Sequence, residues 1–329
     1  MRLSSNWLSA CFSALAYIIA LCSAQCKIGQ NDNKDWIIMY KPSDIREGLL
    51  LIPAAAGWAK SDLSATSDQN PLHNIAGELN KKPAAAAGQQ PVILTFNALP
   101  PRSSSPPATQ SKSTGVFFYE PSAAFATYLI HSVPQWPDMY DTATVLAELG
   151  KKTMPAMLLC LMLPSGEISN WAKGMAYESP LIYFYQNNIE NADITNEDVR
   201  KLVEAEAKIF SVKPSTLDLY SSVINLGLGT TMTIWNIAGK GADIVPKACR
   251  KFYKVQYVNA SEVQILTQTI KRDDDKTIWA YSENGTWLCV SNSPRQASQL
   301  KVSKGAVCIN DAAAHAAFKA LAKTVDGCP

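Results

Sequence analysis

Histidine is scarce in this chain: His73, His131 and His315 are the only three among 329 residues. None lies in a His-x-x-x-His or His-Glu-x-x-His spacing, and no Cys-x-x-Cys occurs, which argues against zinc and against a helix-borne metalloprotease centre. The sequence also lacks a Gly-x-Ser-x-Gly elbow, a glycine-rich phosphate loop and an EF-hand loop, so the common nucleophile-elbow, mononucleotide and calcium folds are excluded. Charge of one sign is missing as well. Thirty basic and 28 acidic residues leave a formal +2. That balance gives no electrostatic case for strong nucleic-acid binding by the surface as a whole. Long apolar runs are absent beyond the N-terminus: 154–163 is near-continuously apolar but too short to span a bilayer, and reads as a strand buried on both faces.

What is present begins with residues 1–24. Arg2 is their only charge, an apolar stretch follows from 7 to 21, and Cys22-Ser23-Ala24 offers small residues for cleavage before Gln25. This is the pattern of a secretory signal, and its removal takes the net charge from +2 to +1. Eight cysteines become six without Cys11 and Cys22, an even number that in an exported chain implies three disulfides. Six cysteines allow about 15 pairings, and spacing alone does not choose among them. Asn259-Ala260-Ser261 and Asn284-Gly285-Thr286 are N-glycosylation sequons, consistent with export.

Apolar, β-branched and aromatic runs predict strands at 36–40, 92–96, 115–119, 126–133 and 157–163, then at 181–185, 230–237, 252–258, 279–281, 287–290 and 306–309. Asn284-Gly285 between two of them is a hairpin turn signal. Helices are expected from the Thr195-x-x-Asp198 cap through about Phe210, over 141–149 up to Gly150, and over the alanine-rich 311–323, capped by Asp311 or Asn310. Strands and helices mixed in both halves predict an α/β (α+β mixed) fold. Residues 100–114, with four prolines and a serine run, are expected to form a mobile surface loop. Asp273-Asp274-Asp275 reads as a solvated turn, with hard-cation binding as the alternative. His73 and His315 read as packing or surface residues. His131, just after a strand, is better placed for a site than the other two, but reads first as a satisfied structural histidine.

Several segments together resemble the DNase II family. They are Asp35-Trp36-Ile37-Ile38-Met39-Tyr40-Lys41, His131-Ser132-Val133-Pro134-Gln135-Trp136-Pro137, Lys152-Thr153 through Cys160, Trp287-Leu288-Cys289 and Gly305-Ala306-Val307-Cys308, followed by the terminal helix and Cys328. Secreted DNase II-like glycoproteins of parasitic roundworms such as Trichinella are similar in this way. The resemblance implies a phospholipase D-like fold, with central sheets flanked by helices in two α/β halves about a pseudo-two-fold, here 25–165 and 166–329. It also implies the pairs Cys26–Cys160, Cys249–Cys328 and Cys289–Cys308. The family cleaves DNA without metal at acidic pH: one histidine attacks phosphorus, another protonates the leaving oxygen, and paired lysines hold the phosphate.

Carried over residue by residue, the two His-x-Lys elements fall on Lys112 and Thr114, before Gly115-Val116, and on Lys276 and Ile278, between Asp275 and Trp279. All four positions depart from the pattern. The expectation is therefore a secreted, extracellular homologue that is not an enzyme and takes no cofactor or metal. It would act by binding a host protein or extracellular-matrix component, with no membrane association. Nucleic acid held by Lys112 and Lys276, with His131 as a further binding candidate, is the alternative, and a residual acid deoxyribonuclease is another.

Overall fold

The computed structural model describes residues 25–29, 32–80, 91–105, 111–121, 123–139, 141, 145–186, 199–203, 207–237 and 243–329. The signal-like residues 1–24, the helix start at 195–198 and part of the proline-rich segment, 106–110, lie outside them.

Two large sheets organise the chain. The first contains β1 (Trp36–Lys41), β2 (Gly48–Leu51), β3 (Ala59–Ser61), β4 (Val92–Phe96), β5 (Gly115–Tyr119), β6 (Phe125–His131), β7 (Ala156–Pro164) and β8 (Ile182–Gln186), in the order β8-β4-β5-β6-β7-β1-β2-β3. Every pairing in it is antiparallel. The second contains β9 (Val199–Val203), β10 (Ala207–Val212), β11 (Met232–Trp235), β12 (Ala248–Cys249), β13 (Lys254–Val258), β14 (Ile278–Ser282), β15 (Trp287–Ser291), β16 (Lys304–Asn310) and β17 (Val325–Asp326). Its order is β9-β10-β16-β15-β14-β11-β13-β12, with β17 on β13, and β11–β13 is its parallel pair. The chain passes from one sheet to the other after Gln186, since β8 pairs with β4.

Alternation explains why the central strands are apolar throughout. In β1, Trp36, Ile38 and Tyr40 enter a core shared by both sheets, while Ile37 and Met39 enter a second core on the outer face. β7 divides the same way, with Leu159 and Leu161 inward and Leu158 and Cys160 outward. In the second sheet Trp279 and Tyr281 of β14 join the shared core, and Ile278 and Ala280 join a third. Strands buried on both faces need no polar alternation. Helices cover the faces that remain. α1 (Pro71–Asn80) and α2 (Val145–Gly150) lie over the outer core of sheet one. α3 (Ile168–Glu178) contributes Trp171 and Met175 to the shared core, and the helical segment 219–228 closes the third. α4 is the short helix Asn225–Leu228, and α5 is the terminal helix Ala312–Lys319. Asp311 caps α5, its carboxylate accepting from the Ala314 N–H at 2.8 Å. The fold is thus mixed α/β and rich in sheet. No described helix is long and apolar enough to cross a membrane.

Three disulfides join Cys26 to Cys160, Cys249 to Cys328 and Cys289 to Cys308, the last across neighbouring strands β15 and β16. The Glu283-Asn284-Gly285 segment turns β14 into β15, with Gly285 at φ 87°. One expected helix fails. The helix from the Thr195 cap through Phe210 is not formed by its described part: 199–203 and 207–212 are strands. β10 pairs along its whole length with β16, Phe210 opposite Ala306, and this pairing overrides the local helix preference.

Candidate functional site

An antiparallel sheet brings the end of one strand beside the start of the next. At one end of sheet one this gathers Asn97–Leu99 after β4, Lys112 and Thr114 before β5, Ser132–Pro134 after β6 and Met154 before β7. At the facing end of sheet two it gathers Ile237 after β11, Lys276 and Ile278 at the start of β14, and Asn292, Pro294, Gln296 and Gln299 after β15. Together they line one cleft of about 450 Å³. Lys112, Thr114, Lys276 and Ile278 thus all face the same space, two from each sheet.

Each lysine sits between buried polar anchors. Ser111 donates to the Ser113 hydroxyl at 2.8 Å, Ser113 donates to the Glu178 carboxylate, and the Thr114 carbonyl accepts from His131 N–H at 3.1 Å and Asn292 Nδ2 at 2.9 Å. Ser111, Ser113 and Thr114 are consequently buried, and Lys112 is half-buried between them. This corrects the expectation of a mobile loop for the described residues 111–114: their hydroxyls are consumed in a fixed network. Asp275 and Thr277 flank Lys276 in the same way. The Asp275 carboxylate accepts from Tyr40 Oη, from Trp235 Nε1 at 2.8 Å, and from Thr277 Oγ1 and N at 2.7 and 2.9 Å. Asp275 is buried, against the expectation of a solvated acidic turn, whereas Asp273 and Asp274 are exposed. Burial pushes its carboxyl above the ordinary value, and the hydrogen bonds only partly offset that.

Glu178, which carried no sequence signal, ends α3 between the two sheets. It is 3% exposed and accepts from Ser113 and from Ser211 Oγ at 2.5 Å. Burial pushes its carboxyl to about 7 despite those bonds. A Cβ at residue 305 would lie 2.1 Å from its Oε1, so glycine alone fits there.

No histidine lines the cleft. His131 ends β6 behind it. Its Nδ1 accepts from the Val133 N–H at 3.2 Å, its ring meets Trp136 edge-on, and its Nε2 is buried without a partner. Burial drives its pKa down to about 3, so the ring stays neutral. Its neighbours Ser132 and Val133 reach the cleft instead. His315 on α5 bonds the Ser282 carbonyl at 2.7 Å, and His73 on α1 faces a separate surface groove with Asp44 and Arg46.

Lys41 is tied to the cleft through Met154, whose carbonyl it bonds. Its side chain is fully buried, and its ammonium donates among four carbonyls, those of Pro42 (3.0 Å), Ser43 (3.2 Å), Lys152 and Met154 (3.3 Å). Burial lowers its pKa, with the Asp44 charge opposing. Lys41→Met leaves carbonyls without donors and is expected to destabilise the protein by about 3 kcal/mol or more in urea unfolding. A loss under about 1 kcal/mol would show that solvent replaces the ammonium freely.

The Deoxyribonuclease II family model matches residues 25–328, and the chain belongs to that family. It is 23% identical to deoxyribonuclease-2-alpha of Rattus norvegicus, over 89% of this chain and 91% of that protein. It is likewise 23% identical to the Mus musculus protein of the same name, over 89% and 90%, and 22% identical to plancitoxin-1 of Acanthaster planci, over 90% of each. These relatives overturn the expectation that the chain is not an enzyme. That expectation rested on four side chains, whereas the likeness extends along nearly the whole chain to proteins named as deoxyribonucleases.

Proposed function

We propose that the cleft between the two sheets is a nucleic-acid site, in which Lys112 and Lys276 hold phosphate oxygens of the backbone. The observation that carries this is the composition of the walls. One lysine comes from each sheet, and no carboxylate stands among the lining residues to neutralise them. Two ammonium groups facing one space raise the local potential in a chain whose overall charge is nearly balanced. The relatives named as deoxyribonucleases agree with DNA as the ligand class. This reading takes nucleic acid in place of the host-protein or matrix partner expected from sequence. We assign Lys112, Thr114, Lys276 and Ile278 to the family's His-x-Lys positions; with no histidine lining the cleft, cleavage of a bound strand there would have to proceed without a phosphohistidine. Plasmid digestion from about pH 4.5 to 7, with and without chelator, measures that cleavage directly.

The decisive test is binding of a labelled oligonucleotide across a salt series. Lys112→Ala and Lys276→Ala are each expected to weaken binding by about tenfold and to lower the salt slope by about 1. Binding that ignores both substitutions sinks the assignment. The setting is an exported protein, supported by the disulfides. Asn259 and Asn284 are both exposed as glycan acceptors, and N-glycosidase treatment reads their occupancy as a mass shift.

A further inference from the structure

Two lysines account for the phosphate, but most of the cleft wall has no use for one. Leu99, Val133, Pro134 and Met154 on one side and Ile278 and Pro294 on the other are apolar. Three carboxamides, Asn292, Gln296 and Gln299, complete the second-sheet wall. Asn292 spends its Nδ2 on the Thr114 carbonyl, while the Gln299 Oε1 is buried without any hydrogen-bond partner. A phosphate oxygen only accepts, so it cannot satisfy a carbonyl oxygen. A nucleobase offers ring and exocyclic N–H donors, which meet this oxygen once the half-buried Gln299 side chain turns toward the cleft it lines. If the amide is turned over, its N–H pair meets a base carbonyl equally well.

Size points the same way. A concave cleft of about 450 Å³ falls within the range of small-molecule sites. It admits one nucleotide, whereas a duplex keeps its bases stacked inside and presents backbone to such an opening. Apolar faces from Pro134, Met154 and Pro294 suit the flat faces of a base taken out of a stack.

Building on the phosphate assignment above, we propose that the cleft takes an unpaired nucleotide. The base enters between the apolar walls, the Gln299 amide meets its polar edge, and Lys112 and Lys276 hold the flanking phosphates. The ligand class is therefore single-stranded nucleic acid, or a strand with a base displaced from its helix. Duplex backbone alone is the weaker ligand.

Fluorescence polarisation with three probes tests this: a 12-nucleotide single strand, a blunt duplex of that strand with its complement, and an abasic single strand of the same length that keeps the phosphates. The single strand is expected to bind about tenfold more tightly than either of the others. Gln299→Leu is expected to weaken the single strand several-fold and leave the abasic strand unchanged. Met154→Ala, which widens the apolar wall, shares that pattern. Equal affinity for the single and abasic strands overturns the base pocket while leaving the phosphate grip standing. No binding of any probe at low salt removes the phosphate grip, and this proposal with it.

Discussion

Asp218→Ala is expected to lower the unfolding free energy by about 3–5 kcal/mol, because it strands a buried guanidinium. Arg295 is 4% exposed. It reaches Asp218 Oδ2 through Nε at 2.9 Å and Nη2 at 2.6 Å, and gives Nη1 to the carbonyls of Val245 and Pro246 and to Tyr257 Oη. Burial pushes the Asp218 carboxyl up. The Arg295 hydrogen bonds and charge, with Ser221 and the Tyr220 N–H, outweigh it and hold the group below its ordinary value of 3.8. That contribution is present above pH 3.8 and is lost as pH falls through the lower folded value. Exposed pairs such as Lys151–Glu148 at 2.6 Å are screened by solvent and contribute little by comparison. Urea unfolding measures the difference. The double variant Asp218→Ala, Arg295→Met is expected to recover part of the loss, since no buried charge then lacks a partner. A single substitution costing under about 1 kcal/mol would show that water reaches the guanidinium. Arg295 lies between Pro294 and Gln296, so the same substitution is expected to loosen the cleft wall and weaken oligonucleotide binding.

Wild-type stability is expected to fall by about 3 kcal/mol through Glu178 alone as pH rises from about 4.5 to above 7. The native protein holds this proton more tightly than the unfolded chain does, at about 7 against an ordinary 4.5. Its contribution is therefore complete below pH 4.5 and is lost as pH passes through about 7. Buried Asp275, also pushed up, acts in the same direction. His131 opposes both. Held near 3 against an ordinary 6.5, it contributes stability above pH 6.5 that disappears as pH falls through about 3. A pH series of the wild type alone sums these effects. The difference between wild type and Glu178→Gln, followed by circular dichroism melts from pH 4.5 to 8, isolates one of them. The variant is expected to lose less stability across that range. Parallel curves would mean that Glu178 titrates no higher in the native protein than in the unfolded chain.

Much of the fold was legible because its strongest signals are local. The all-apolar 36–40 and 157–163 segments are central strands of sheet one, as a run without alternation implies for a strand covered on both faces. Asn284-Gly285 turns β14 into β15, and Asp311 caps α5, because turn and cap chemistry act over a few residues. Residues 199–212 misled for the opposite reason. Their helix preference is local, whereas the pairing of β10 with β16 joins segments distant in sequence. Segment 111–114 misled in the same way, since proline and serine content predicts solvent exposure and cannot register a carboxylate arriving from α3.

The sequence by itself determined the family, the central strands and the cysteines available for three disulfides. Tertiary structure alone decided that Lys112 and Lys276 share one cleft, that Asp275 and Glu178 are buried beside them, and that Gln299 leaves a carbonyl oxygen without a partner. Side-chain identity is a property of the chain, but desolvation and convergence are properties of what surrounds it. Here the surroundings are supplied by two sheets whose loops meet at a single end.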